Sequence, residues 1–181
     1  MLKNIFSLFL LTIISVTTIA QTTPPSADEV LKKAFAKAKA EKKNVFIMFH
    51  ASWCGWCRKM DTAMNDAECK KFFQDNYVIE HLVIQESDDK KALENPGAEE
   101  LYKKHANTPR SGGIPFWIVY DAKGNVIADA KMPNGDNSGC PAAKEEVDHF
   151  ISVLKKSSKI DEKTTKIVFD RFRKNEPVRV Q

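Results

Sequence analysis

Two of the four cysteines in this chain, Cys54 and Cys57, stand two residues apart in the run Ser52-Trp53-Cys54-Gly55-Trp56-Cys57-Arg58-Lys59. A pair at that spacing can form half of a four-ligand zinc site, or it can cycle between dithiol and disulfide. Structural zinc needs two further ligands, usually a second close pair. The other cysteines, Cys69 and Cys140, are isolated, and His50, His81, His105 and His149 form no paired spacing. No metal site is assigned, and redox cycling is the chemistry the pair fits best. A permanent disulfide that staples the segment is the remaining alternative.

The surroundings of the pair bear on its reactivity. Asn44 to Phe49 is a short continuous apolar run, the pattern of a strand buried on both faces. A helix is expected from Gly55 through Met60 and Met64, so Cys54 stands at a helix N-terminus. Unpaired backbone N–H groups and the positive end of the helix dipole stabilise a thiolate there. Cys57, one turn further in, is expected to be shielded and to resolve the mixed disulfide that Cys54 forms.

The elements that must hold this segment follow from periodicity. Ser26 or Asp28 can cap a first helix that runs to about Glu41, with Val30, Leu31, Ala34, Phe35 and Ala38 at helical spacing. A second helical stretch is expected over Ala67 to Phe73, a strand over Tyr77 to Ile84 and a helix over Ala98 to His105. Phe116 to Tyr120 reads as a strong strand, with Val126 to Ala130 as its hairpin partner across Asp121-Ala122-Lys123-Gly124-Asn125. A long loop from Lys131 to Ala143 precedes a helix over Lys144 to Lys155, and Ile160 to Lys174 is an extra C-terminal helix expected to cover the core. Helices that alternate with strands and end in a strand hairpin define an α/β fold with a mixed central sheet flanked by helices.

The chain has 181 residues, 43% hydrophobic and 29% charged, which suits one domain with an extension. Its net charge of +4 is spread along the sequence without a basic stripe interleaved with aromatics, so nucleic acid is not an expected partner. At the N-terminus, Lys3 precedes an apolar stretch from Ile5 to Val16, and Thr18-Ile19-Ala20 offers small residues to a signal peptidase. The stretch is short against the roughly 20 residues of a membrane span. Residues 1–20 are therefore expected to be a signal peptide and 21–26 a linker, and the mature form is not expected to be membrane-embedded.

Phe49-His50-Ala51-Ser52-Trp53-Cys54-Gly55-Trp56-Cys57-Arg58-Lys59-Met60 resembles the active-site segment of the thioredoxin superfamily. It is most similar to exported thioredoxin-like proteins and to the periplasmic C-terminal domain of transmembrane thiol:disulfide interchange reductases. Gly113-Ile114-Pro115-Phe116 stands where the superfamily places a second signature. The resemblance implies a cis bond before Pro115, which lies against the dithiol, and an Ile114 backbone that pairs with an extended substrate. It also implies substrate contacts for Trp53, Gly55 and Trp56, catalysis by Cys54 and Cys57, and no cofactor.

Three departures stand out. The superfamily's buried proton acceptor, six residues before the first cysteine, is replaced by Met48. His81 and Glu80 are candidate substitutes for proton transfer, although a solvent-facing strand end is the simpler reading of each. The dipeptide between the cysteines is Gly-Trp rather than Gly-Pro, which alters the tuning of the pair. His50 occupies a position that is usually aromatic.

The resemblance covers roughly Asn44 to Leu154 as an ordered set of elements, and a thioredoxin-like domain is expected over 27–157 with a helical extension over 158–181. The implied activity is a thiol–disulfide oxidoreductase that reduces protein disulfides in an exported compartment, the bacterial periplasm. An upstream membrane thiol:disulfide reductase would resupply the electrons. A disulfide oxidase or isomerase would use the same residues, and a non-catalytic binding module would keep them bridged. Cys69 and Cys140 either pair or remain separate thiols.

Overall fold

The computed structural model describes residues 23–177. The expected signal peptide and the start of the linker lie outside these residues. No helix among the described residues is long and apolar enough to cross a membrane.

Helix α1 (Ala27–Glu41) begins at Ser26, whose hydroxyl accepts the Glu29 N–H while the Glu29 carboxylate accepts the Ser26 N–H. This reciprocal pairing satisfies two donors that a bare helix start would leave open. The helix ends at Lys42, which takes a left-handed conformation (φ 56°). Strand β1 (Asn44–His50) follows, then helix α2 (Gly55–Met64), helix α3 (Lys70–Asn76) and strand β2 (Tyr77–Val83). After a 3₁₀ segment of two turns at Asp88–Leu93 come helix α4 (Ala98–His105) and the hairpin β3 (Phe116–Tyr120) and β4 (Val126–Asp129). Helices α5 (Lys144–Ser157) and α6 (Glu162–Arg173) close the chain.

The four strands form one mixed sheet in the order β2-β1-β3-β4, with β1 parallel to β2 and antiparallel to β3. All five inner residues of β1 and the whole of β3 are buried, as continuous apolar runs in central strands require. Alternation along the strands assigns the two faces. Phe46, Met48 and Trp117 share a face with Phe73 of α3, Phe150 of α5 and Phe172 of α6, joined by ring contacts of 4.8–6.4 Å. Phe49, Phe116 and Tyr120 face Phe35 of α1 and Tyr102 of α4 on the other side. Helices thus cover both faces.

Two expected helix starts shift. Helix α3 starts at Lys70 rather than Ala67, because the chain first makes a tight turn in which the Cys69 and Lys70 N–H groups donate to the Asp66 carbonyl. That turn is tied to α6 by an ion pair between Arg171 Nε and an Asp66 carboxylate oxygen at 2.8 Å. Helix α6 starts two residues later than Ile160, where the Asp161 carboxylate accepts the Thr164 N–H. Its Val168 and Phe172 are buried in the same core as the sheet, so the C-terminal segment is integral to the packing.

Candidate active site

The site is built where β1 ends. His50 is the last residue of β1, and Ala51-Ser52-Trp53 carries the chain to Cys54, which caps α2. The Cys57 N–H, otherwise an orphan of the first helical turn, donates to Cys54 Sγ at 3.1 Å. Cys54 and Cys57 are joined as a disulfide, with Cα atoms 5.3 Å apart. No acidic residue occupies the first turn of α2, so nothing there opposes a negative sulfur.

The two sulfur-bearing residues are both enclosed, Cys54 at 3% and Cys57 at 1% exposure. Shielding was expected for Cys57 alone. Cys54 is covered as well because Ile114 packs against the pocket formed by Ala51 and the two cysteines. The Ile114–Pro115 bond is cis, and the Ile114 carbonyl oxygen lies 3.7 Å from Cys54 Sγ. Trp53 and Trp56 flank this spot with 54% and 41% of their surface exposed, unusually open for tryptophan. Gly55 is exposed between them.

A set of polar side chains that sequence reading did not single out fixes these positions. The buried Glu86 carboxylate accepts the Ser52 N–H at 2.5 Å and the Ser52 hydroxyl at 2.8 Å. The Trp53 indole N–H donates to the Gln85 carbonyl at 2.8 Å. The active-site loop therefore hangs from the segment that follows β2. On the other side, Asn137 donates its amide N–H groups to the Gly113 and Pro115 carbonyls at 3.0 and 3.1 Å. The Tyr102 hydroxyl accepts the Gly113 N–H at 2.8 Å. Asn137 belongs to the Lys131–Ala143 loop, which folds back onto the proline segment rather than standing free. Only tertiary contacts reveal Glu86, Asn137 and Tyr102; no spacing in the sequence marks them.

The proton-transfer candidates separate. His81 pairs with Met48 across β1 and β2, and its ring nitrogen lies 2.9 Å from a carboxylate oxygen of Asp61 on α2. Asp61 is four residues beyond Cys57, one turn along the same helix face. That i, i+4 spacing was the signal available for Asp61. The His50 ring meets the His81 ring edge-on at 5.1 Å. Burial, with His81 adding to it, holds the His50 pKa below the ordinary histidine value. Glu80 pairs with Ile47 instead and so lies on the opposite face of the sheet from His81 and α2. Asp61 and His81 line a cleft of about 400 Å³ beside β2.

Cys69 and Cys140 do not pair; both are separate buried thiols. Burial pushes the Cys69 thiol up to about 11 and the Cys140 thiol up to about 12. Among the described residues no group of three or more histidine, cysteine or acidic side chains converges on a possible metal position.

A protein-family model described as thioredoxin-like matches residues 27–122. The chain belongs to this thioredoxin-like family, and with its bonded Cys54–Cys57 pair it is a thiol–disulfide oxidoreductase. Among solved structures it is similar to a disulphide isomerase from Xylella fastidiosa Temecula1, at 17% identity over 88% of this chain and 98% of that one, TM-score 0.49. It is also similar to a structure titled DsbH Oxidoreductase, at 22% identity over 78% and 95% of the two chains, TM-score 0.39. A thioredoxin from Wuchereria bancrofti shares 23% identity over 65% and 85%, TM-score 0.39. No curated protein matches.

Proposed function

We propose that this protein reduces disulfide bonds of other proteins in an exported compartment, the bacterial periplasm. In the reduced enzyme the Cys54 thiolate attacks one sulfur of a substrate disulfide. A mixed disulfide forms and the other substrate sulfur leaves as a thiolate. Cys57 then gives up its proton and attacks Cys54 Sγ, which closes the Cys54–Cys57 bond and releases the second substrate sulfur. Two electrons pass from enzyme to substrate, and a membrane thiol:disulfide reductase returns them.

The observation that carries the reducing direction is the modest stabilisation offered to Cys54. Among the described residues a single N–H, that of Cys57, bonds its sulfur. Strong oxidants of this chemistry owe their potential to a heavily stabilised reduced form. In this reading Ile114, Pro115, Trp53, Gly55 and Trp56 form the surface that receives the substrate chain. His81, held by Asp61, takes the Cys57 proton in place of the acceptor that Met48 lacks. The exported location is supported by the sequence of residues 1–20.

The test is a redox titration of the Cys54–Cys57 pair followed by a protein-disulfide reduction assay. A potential nearer about −270 mV than about −120 mV, with turnover abolished in Cys54→Ser, is expected. A potential near the oxidising end would reverse the direction. Cys57→Ala should accumulate mixed disulfides at Cys54 with exported proteins, and capture of none would remove the protein substrate from the reading.

A further inference from the structure

A groove of about 310 Å³ opens at Gly55, next to Cys54, and runs along one side of α2 past Arg58, Lys59 and Thr62. Its far wall is Arg171 at the end of α6 with Lys174 and Asn175 in the turn that follows. Cations thus line most of the groove and no acid lines any of it. Arg171 is neutralised by Asp66. The other three make no ion pair among the described residues, although Asp66 also lies near enough to Lys174 to feel its charge. Arg58 donates to the uncharged Ser52 carbonyl at 2.9 Å, and the Lys59 ammonium sits 4.3 Å over the Trp56 ring.

Elsewhere on the surface some lysines stand beside a carboxylate and others stand alone. Lys71 pairs with Asp75, Lys144 with Asp148 and Lys166 with Asp170, each four residues apart on a helix. What sets the groove apart is that Arg58, Lys59 and Lys174 gather in one concavity next to the redox pair. Arg58 and Lys59 belong to α2, but Lys174 comes from the other end of the chain, just past α6. Uncompensated like charge along a concavity attracts an anion.

We propose that this groove seats an acidic stretch of the protein substrate, adjacent in sequence to the cysteine that Cys54 attacks. The proposal rests on the reading of the pair as a reductase of protein disulfides. From Gly55 to Thr62 the helix rises about 10 Å, at about 1.5 Å per residue. An extended chain covers that length in about three residues. The preferred carboxylates therefore fall within the first few positions beside the substrate cysteine.

The experiment uses peptides with one internal disulfide flanked by glutamate, glutamine or lysine runs, reduced by the full protein at low and raised ionic strength. The glutamate-flanked peptide should show a kcat/KM about ten-fold above the glutamine-flanked one, and salt should close the gap. In Lys174→Glu, and more so in Lys59→Glu/Lys174→Glu, that preference should vanish or reverse. Equal reduction of all three peptides, or preference for the lysine-flanked one, overturns the groove and leaves the reductase reading intact. If none is reduced, the reductase reading fails. The groove is then judged by binding of a disulfide-free glutamate peptide, followed through tryptophan fluorescence: salt-sensitive binding weakened by Lys174→Glu upholds an acidic occupant, and no binding removes it. Binding to anionic lipid vesicles without binding to the peptide also overturns it.

Discussion

The Glu86 carboxylate holds Ser52 by both its backbone N–H and its hydroxyl, at 2.5 and 2.8 Å, while itself only 4% exposed. This grip ties the loop that delivers Cys54 to the chain beyond β2. Glu86→Gln keeps the shape but trades two charge-assisted bonds for weaker ones. A loss of about 1–3 kcal/mol in denaturant stability is expected, together with a lower kcat/KM for disulfide reduction. Unchanged values for both would show that the loop is positioned by other contacts.

Resolution of the mixed disulfide should depend on His81. With His81→Asn, the Cys57 attack should slow by about 10²-fold, the low end of general-base contributions. The initial attack by Cys54 should keep its rate, so mixed disulfide should accumulate. Glu80→Gln, on the other face of the sheet, should leave both steps unchanged. Rapid-quench analysis of the mixed disulfide separates these outcomes; equal effects of the two substitutions would remove His81 from proton transfer.

The thiols at Cys69 and Cys140, at about 11 and about 12, are protonated at ordinary pH and enclosed. Iodoacetamide at about pH 8 should therefore leave both unlabelled in the native protein and label both after unfolding. Mass spectrometry gives the count. Labelling of Cys140 in the native state would mean that its loop opens readily.

Burial lowers the pKa values of His50, His105 and His149. Each binds a proton more weakly folded than unfolded. The stability tied to them is full above the unfolded value of about 6.5 and falls as pH drops from there toward the folded values. The urea midpoint should decline across this range. His149→Gln, which cannot titrate there and retains an N–H donor for the Asp129 carbonyl, should flatten the decline. Carboxylates lowered by hydrogen bonds, such as Asp66, act at lower pH and do not mask the effect.

Phe172 of α6 is fully buried against Phe73 and Phe150. Phe172→Ala should cost about 3–5 kcal/mol, measured by urea denaturation. A cost below about 1 kcal/mol would make α6 an appendage rather than part of the core.

The strands and most helices were legible because their apolar patterns are local. Asn44–His50, Phe116–Tyr120 and Ala98–His105 are spelled out by consecutive residues. The cysteine pair was legible for the same reason. The side chains that aim the site were not, because Glu86 meets Ser52 across 34 positions and Asn137 meets Pro115 across 22. A lone glutamate or asparagine in a loop has no signature until the chain is folded. The covering of Cys54 was missed because Ile114 arrives from 60 residues away.

The place of β1 at the centre of the sheet has a consequence for assembly. One neighbour, β2, pairs with it from Tyr77 onward, and the other, β3, begins only at Phe116. During synthesis from the N-terminus, Cys54 and Cys57 emerge long before Ile114 exists to cover them. Contacts of such long sequence separation form late in folding. For that interval the same thiols that later meet only chosen partners are open to any oxidant, and to Cys69 in the same unfinished chain.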